Sequence, residues 1–302
     1  MYPEIISDRD KVLAVFDSLD VRESTIREYK YRIRHFLAFT ELNGFDYNSL
    51  VEYKRMLQNH PTYSASTKSK YLMTAKVFLS RCYALRYLPV DMGSGVKSFQ
   101  ISKEHKKSGL TESEMDRLLG WMNNHPEKLR ERALLCLLIF QGFRQAEVCS
   151  LQLHNVVFRE RAMFVRGKGR DDLERVPMHE QVYTALLAYT ESRQEQFTLA
   201  NDYLFKSERK QGSDGALTTR GLRGIVKTIF AELDIDKSVH ALRHYFATKL
   251  VRNMPNLLEA ARWTRHRSTE MLKVYTDELG DDENISNFHN AFSDVSARLT
   301  NR

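Results

Sequence analysis

The sequence predicts a mainly α-helical protein of two domains, in which the second domain also carries a small antiparallel sheet. Apolar side chains recur at helical spacing through residues 1–100 and again beyond residue 110. A polar, poorly periodic stretch separates these two regions. Within the second region, residues 162–177 alternate in polarity, turn at glycines and alternate again, which is typical of a strand hairpin.

The first domain is predicted to be a helical bundle over residues 1–100. Its longest helix is expected to be capped by Ser24 and to end at Gly44, since serine accepts from exposed N–H groups and glycine tolerates the backbone of a helix end. A second helix is predicted over residues 49–59. A third is predicted from about residue 66 to residue 87, where a proline soon follows.

A linker is predicted over residues 101–109, and the second domain over residues 110–302. Thr111 and Glu114 fit a capping box, which predicts that a new helix begins directly after the linker. Near the end of the chain, apolar side chains spaced by three and four residues form one stripe. We therefore expect a short amphipathic helix at about 284–300.

The composition limits the class of protein. The 302 residues suit two domains, and 46 basic against 39 acidic side chains give a net charge of +7, which is compatible with a nucleic-acid partner. Three scattered cysteines, at positions 82, 136 and 149, form no disulfide framework. The apolar runs are too short to span a membrane, and the amino terminus lacks the features of a signal peptide. A cytoplasmic protein without a membrane partner is expected.

The most informative feature is a histidine and arginine motif followed by a tyrosine. His240, Arg243 and His244 stand at positions i, i+3 and i+4, so on a helix they share one face. His266 follows them, and Tyr275 comes nine residues after His266. This pattern places a candidate phenolic nucleophile beside side chains that can bind a phosphate and transfer protons.

Two upstream segments complete a pattern that extends over most of the chain. The segment Gln-Gly-Phe-Arg-Gln-Ala-Glu-Val contains Arg144 and Glu147, and Lys168 stands at the Gly-containing turn of the predicted hairpin. The order Arg, Lys, His-x-x-Arg, His and Tyr resembles the tyrosine recombinase, or phage integrase, family. The two-domain layout is similar to that of its Xer-like and Cre-like members.

The resemblance implies a role for each matched residue. Glu147 would support an arginine, and His244 would orient the helix. Because arginines stabilise the charge on the phosphate, neither a metal ion nor a cofactor is expected. The implied catalytic set is Tyr275 as nucleophile, Arg144 and Arg243 as phosphate clamps, Lys168 as general acid, His240 as base and His266 as donor to the phosphate.

The resemblance also implies a function and partners. The first domain would be a core-binding bundle of the SAM-like type, and the second the catalytic domain. The protein would bind inverted DNA half-sites and recombine them site-specifically, through a 3′-phosphotyrosine and a Holliday junction. A tetrameric synapse would form through the carboxyl-terminal helix, with or without a second recombinase or an accessory protein.

Other interpretations stay open on the sequence. A type IB topoisomerase uses a similar tyrosine and arginine set, and a DNA-binding regulator could keep the fold without catalysis. His240 and His244 fit a metal pair or core histidines, and Lys168 fits an ordinary turn lysine.

Departures from the family pattern predict a local difference. Arg265 stands where the family commonly has glycine, which suggests a different turn, and Phe143 replaces leucine. The positive charge near Arg265 is expected to face DNA. The candidate DNA contacts are Arg27, Lys30, Arg34, Lys68, Lys70, Arg265 and Arg267.

Overall fold

The computed structural model describes residues 8–100, 109–167, 172–194, 202–207, 215–254, 256–265 and 272. The chain divides into two compact units, residues 1–103 and residues 104–302. Both are built mainly of helices, and the second contains a three-stranded antiparallel sheet, so the predicted fold class is confirmed. The bounds expected for the two domains stay predictions, because the predicted linker lies almost entirely outside the described residues.

The first unit is a helical bundle in which α4 packs against the three helices before it. The large rings of Phe16, Phe36, Tyr53 and Phe78 are completely buried in its core. The helices are α1 (Arg9–Asp17), α2 (Glu23–Asn43), α3 (Ser49–Asn59) and α4 (Ala65–Ala84).

Of the two predicted ends of α2, only the C-terminal end is observed. Gly44 follows the last helical residue with a φ of 81°, a left-handed value that favours glycine. At the other end, Arg22 occupies the N-cap and makes no side-chain cap bond, so the prediction that Ser24 caps this helix is wrong. Ser24 lies inside the first turn instead.

The second unit is organised around α6, whose residues 133–139 are all buried. Because residues 133–139 are apolar on every side of the helix, α6 forms the centre of the core, and α8, α9 and α10 pack against it. The helices are α5 (Glu112–Asn124), α6 (Leu129–Phe140), α7 (Gln145–Ser150), α8 (Glu180–Glu191), α9 (Thr219–Glu232), α10 (His240–Asn253) and α11 (Leu257–Thr264).

The start of the second unit follows the predicted capping box. The Thr111 hydroxyl accepts from the Glu114 backbone N–H at 3.1 Å, and the Glu114 carboxylate accepts from the Thr111 N–H at 2.7 Å. These two bonds satisfy donors that the first turn of α5 would otherwise leave exposed.

The sheet of the second unit contains the predicted hairpin. Its strands are β1 (Val156–Val157), β2 (Ala162–Arg166) and β3 (Leu173–Pro177), paired antiparallel in that order. The pairing of β2 with β3 runs from Ala162 opposite Pro177 to Arg166 opposite Leu173. In the part of the chain that the structure describes, no helix is long and apolar enough to cross a membrane.

Candidate active site

The turn between α6 and α7 is shaped by a glycine. Gly142 has a φ of 55°, and a Cβ at this position would overlap the ring of Phe246, so no larger residue fits without a shift. The turn places Arg144 at the N-cap of α7, with 29% of its side chain exposed. An arginine held at this point can present its guanidinium to solvent.

Arg144 is oriented by Glu147, one turn along α7. The Glu147 carboxylate accepts from the Arg144 backbone N–H at 2.7 Å and from Arg144 Nη1 at 2.8 Å. The two bonds fix both the backbone and the side chain of the arginine. They give Glu147 the supporting position that the sequence suggested.

Arg243 is buried, with only 3% of its surface exposed, and it joins two distant turns. Its Nη1 donates to the carbonyl oxygen of Gly142, and its Nη2 donates to that of Thr264 at 2.7 Å. The guanidinium therefore links α10 to the turn that carries Arg144 and to the end of α11.

Arg265 ends α11 and closes the cluster. Its Nη2 donates to the second Glu147 oxygen at 2.5 Å, and its guanidinium lies 4.4 Å from the ring centroid of Phe143. The side chain is 5% exposed. The Arg265 carbonyl oxygen accepts from Arg144 Nη2 at 3.3 Å, so this residue contacts Arg144 through its backbone and Glu147 through its side chain.

The electrostatics of the cluster depend on one carboxylate. Burial alone would raise the pKa of Glu147, but the charge of Arg265 and the bonds from Arg144 outweigh it and lower that pKa below its usual value. Glu147 is therefore ionised at neutral pH. With Arg243 nearby, positive charges outnumber negative ones, which suits a site for an anion.

His240 and His244 lie one turn apart on α10, as their spacing predicts. Their ring centroids are 4.7 Å apart and the rings are nearly perpendicular. His240 is exposed at the start of the helix, whereas His244 is buried. Within the described ranges, no group of three or more His, Cys, Asp or Glu side chains is arranged to hold a metal ion.

A buried amide connects the arginine turn to the hairpin. Gln141 is 4% exposed; its Nε2 donates to the carbonyl oxygen of Pro177 at 2.9 Å, and its Oε1 accepts from the His179 N–H at 2.8 Å. No role for Gln141 was predicted from the sequence. Its contacts fix the end of β3 beside the turn that carries Arg144.

Comparison with known proteins identifies the family. A sequence model of the phage integrase family matches residues 108–280. The tyrosine recombinase XerC of Halalkalibacterium halodurans is 31% identical over 278 residues, which cover 83% of this chain and 86% of that protein. The chain belongs to the phage integrase family. The tyrosine recombinase XerA of Thermococcus kodakarensis is 27% identical over 276 residues, covering 90% of this chain and 92% of XerA.

Solved structures of recombinases share the fold. The XerH recombinase bound to its difH substrate aligns with a TM-score of 0.65 at 20% identity, over 89% of this chain and 82% of XerH. The Tn1549 transposon integrase in complex with transposon right end DNA aligns with a TM-score of 0.68 at 16% identity, over 93% of this chain and 99% of the integrase. The fold expected from the resemblance is thereby confirmed.

Family membership defines the type of enzyme. The protein is a site-specific DNA recombinase of the tyrosine recombinase type, as predicted. None of the comparisons favours a topoisomerase or a non-catalytic regulator. The roles assigned to individual residues stay predictions.

The structure brings only part of the predicted recombinase site together. Arg144, Glu147 and Arg243 form one connected cluster, and the helix of Arg243 also carries both predicted histidines. The other predicted residues lie outside the described residues. They are Lys168, His266, Arg267, Tyr275 and the expected helix at 284–300.

The structure corrects two expectations about Arg265. This residue was expected to face DNA, but its side chain is buried against Glu147 and Phe143. A changed turn was also expected, yet Arg265 has φ 52° and ψ 43°, the left-handed conformation that glycine favours. The only sequence signal for the buried position of Arg265 was that Phe143 and Arg265 both depart from the family pattern.

The candidate DNA contacts of the first unit differ in their surroundings. Lys30 pairs with Asp17 at 2.7 Å, and Lys68 donates to the Gln58 carbonyl oxygen at 2.7 Å, so both already have partners within the unit. The remaining candidates are exposed on their helices, although Arg27 also pairs with Glu23 at 3.7 Å, and their DNA contacts stay predictions. These are Arg27, Arg34 and Lys70.

Proposed function

We propose that this recombinase cleaves and rejoins DNA one strand at a time through a covalent phosphotyrosine at Tyr275. The observation that carries the proposal is the connected cluster of Arg144, Glu147 and Arg243. The cluster holds two guanidinium groups in fixed geometry around one turn. Preorganised donors of this kind stabilise the charge that develops on a phosphate during attack.

In the proposed first step, the Tyr275 oxygen bonds to phosphorus while the bond to the 5′ oxygen breaks. His240 takes the tyrosine proton, and Lys168 gives a proton to the leaving 5′ oxygen. His266 would donate to the phosphate beside the two arginines. Glu147 keeps Arg144 in place, and the buried His244 steadies α10.

In the second step, the 5′ hydroxyl of an exchanged strand attacks the phosphotyrosine and releases Tyr275. The bond energy is conserved in the intermediate, so no cofactor is needed. Exchange of one strand pair gives a Holliday junction, and exchange of the other pair resolves it.

The proposed partner is duplex DNA with inverted half-sites. Two recombinases of the same fold, XerH and the Tn1549 integrase, were solved with DNA, which supports this assignment. We further propose that four copies assemble in the synapse through the stripe at 284–300, and that a second recombinase or accessory protein takes part at some sites. Because its proposed substrate is DNA, we propose that the enzyme acts in the cytoplasm.

The test is Tyr275→Phe, which removes only the nucleophilic oxygen. The variant should bind a half-site as tightly as the parent but form no denaturant-resistant complex with a nicked suicide substrate. Tyr245→Phe is the matched control, since Tyr245 pairs with Glu112 at 3.0 Å and has no role in the proposed step. A covalent complex with Tyr275→Phe would show that another residue is the nucleophile.

A further inference from the structure

We infer that Arg265 is a positioning residue for strand cleavage, which balances the charge of Glu147 and thereby keeps Arg144 available to the phosphate. The inference rests on the proposed role of Arg144. The positive charge of Arg265 suggested a contact with DNA. In this inference Arg265 instead acts from inside the protein, through Glu147 and Arg144.

The first support is the sharing of one buried carboxylate. Glu147 is 4% exposed, and it binds Arg144 at 2.8 Å through one oxygen and Arg265 at 2.5 Å through the other. Without Arg265, the negative charge of Glu147 would be opposed by Arg144 alone. Arg144 would then offer less net positive charge to an anion.

The second support is that two departures from the family pattern touch each other. Arg265 stands where glycine is common and Phe143 where leucine is common, and the guanidinium lies over the Phe143 ring at 4.4 Å. An aromatic face attracts a guanidinium, which a leucine side chain does not. Phe143 therefore provides a favourable contact for the buried guanidinium of Arg265.

The third support is the backbone at Arg265. A left-handed conformation is unfavourable for an arginine and favourable for glycine. A favourable interaction of the side chain can offset this preference. The ion pair with Glu147 and the contact with Phe143 supply it.

The variants Arg265→Gly and Arg265→Met distinguish the effect of the guanidinium from the effect of the backbone conformation at the turn. Glycine relaxes the left-handed backbone and keeps the carbonyl oxygen that Arg144 contacts, so a loss with this variant comes from the missing side chain. Both variants should cleave about 10- to 100-fold more slowly in a single turnover, the range expected when a charged hydrogen bond is lost. Half-site affinity should stay within about twofold, because Arg265 is buried.

Comparing cleavage of a charged and a neutral substrate distinguishes this role from a purely structural one. If Arg265 acts through the charge of Arg144, a neutral methylphosphonate at the scissile position should remove most of the difference between variant and parent. Arg265→Lys, which keeps the positive charge, should retain more activity on the normal phosphodiester than Arg265→Met.

Arg161 offers a matched control within the same unit. It also has a left-handed backbone, with φ 48°, pairs with a carboxylate (Glu180) and lies over a ring (Tyr183) at 4.5 Å, but its side chain is exposed. Arg161→Gly and Arg161→Met should therefore cleave at the parent rate on both substrates.

A double variant keeps the inference testable if Arg265→Met fails to fold. In Glu147→Gln the charge that Arg265 balances is absent, so adding Arg265→Met should cost no more than about twofold in cleavage rate if the two act as a unit. A further loss as large as that expected for Arg265→Met alone would overturn the inference. Equal losses on the phosphodiester and the methylphosphonate would overturn it as well.

Arg144→Ala distinguishes this inference from the proposed function. If Arg144→Ala cleaves at the parent rate, the proposed role of Arg144 is wrong. If Arg144→Ala is inactive while every Arg265 variant cleaves at the parent rate, only the inference about Arg265 is wrong.

Discussion

Arg243 Nη2 donates a hydrogen bond to the carbonyl oxygen of Thr264 at 2.7 Å, and both residues are buried. The same guanidinium also binds the carbonyl oxygen of Gly142. Arg243 is therefore a structural link between α10, α11 and the turn before α7, in addition to its proposed role as a clamp. Arg144 differs, because it is partly exposed and its side chain binds mainly to Glu147.

The two arginines should accordingly respond differently to removal. Arg144→Ala and Arg243→Ala should each slow cleavage about 100- to 1000-fold, as expected when a preorganised donor to a developing charge is lost. Arg243→Ala should also lower the free energy of unfolding, by about 1–3 kcal/mol, because it removes two buried hydrogen bonds to carbonyl oxygens. Arg144→Ala should lower it less, because Glu147 keeps Arg265 as its counter-charge. Single-turnover kinetics and urea unfolding measure the two effects.

A neutral methylphosphonate at the scissile position should partly restore cleavage by Arg144→Ala, because this substrate lacks the negative charge that Arg144 is proposed to stabilise. If the methylphosphonate restores cleavage by neither Arg144→Ala nor Arg243→Ala, the arginines are structural and not phosphate clamps.

Gly142→Ala should destabilise the second unit. The left-handed backbone alone costs about 1–3 kcal/mol for a non-glycine residue, and the new methyl group would overlap the Phe246 ring. Gly120→Ala is the control, because Gly120 lies within α5 with open space at its Cβ position and should gain about 0.5–1 kcal/mol. Equal stability of Gly142→Ala and the parent in urea would contradict the geometry.

The stability contribution of Glu147 should depend on pH. Its pKa is lowered in the folded protein, so its contribution is present above the ordinary value of 4.5 and is lost as the pH falls through the lowered folded value. Glu147→Gln should cost about 3–5 kcal/mol at pH 7, because it leaves a buried arginine without its counter-charge.

The difference in unfolding free energy between Glu147→Gln and the parent should shrink when both are measured in urea at pH 3. Glu180→Gln is the control, because Glu180 pairs with Arg161 at the surface and should cost at most about 1 kcal/mol. A difference for Glu147→Gln that is constant between pH 3 and pH 7 would show that its carboxylate is not the source of the stabilisation.

Lys168→Ala should slow cleavage of normal DNA far more than cleavage of DNA with a 5′-bridging sulfur. A thiolate leaves without the proton that the lysine is proposed to donate. The comparison requires single-turnover rates of parent and variant on both substrates. Equal losses on the two substrates would remove Lys168 from the general-acid role.

Truncation after Asp282 should leave a folded protein that binds one half-site but loses cooperative binding and recombination. The removed segment carries an apolar stripe that is proposed to dock on a neighbouring copy. Gel-shift titrations on one and two half-sites measure the effect. Unfolding of the truncated chain, or normal recombination by it, would contradict docking between copies. The stripe consists of Ile285, Phe288, Phe292, Val295 and Leu299.

Much of this protein could be predicted from local sequence. The capping box of Thr111 and Glu114 and the strand pairing within residues 162–177 were confirmed, because each depends on side chains a few residues apart. The placement of His240 and His244 on one helix likewise follows from helical spacing. The order of the motif residues was enough to indicate the family.

The tertiary structure alone decided the buried position of the Arg265 side chain. From the sequence, a positive residue among other arginines was expected at the surface, but its partner Glu147 lies 118 residues away along the chain. Gln141 similarly meets His179 only after the chain has folded over 38 residues. No local pattern reports such contacts, because the free energy of a buried charge depends on which counter-charge the fold brings beside it.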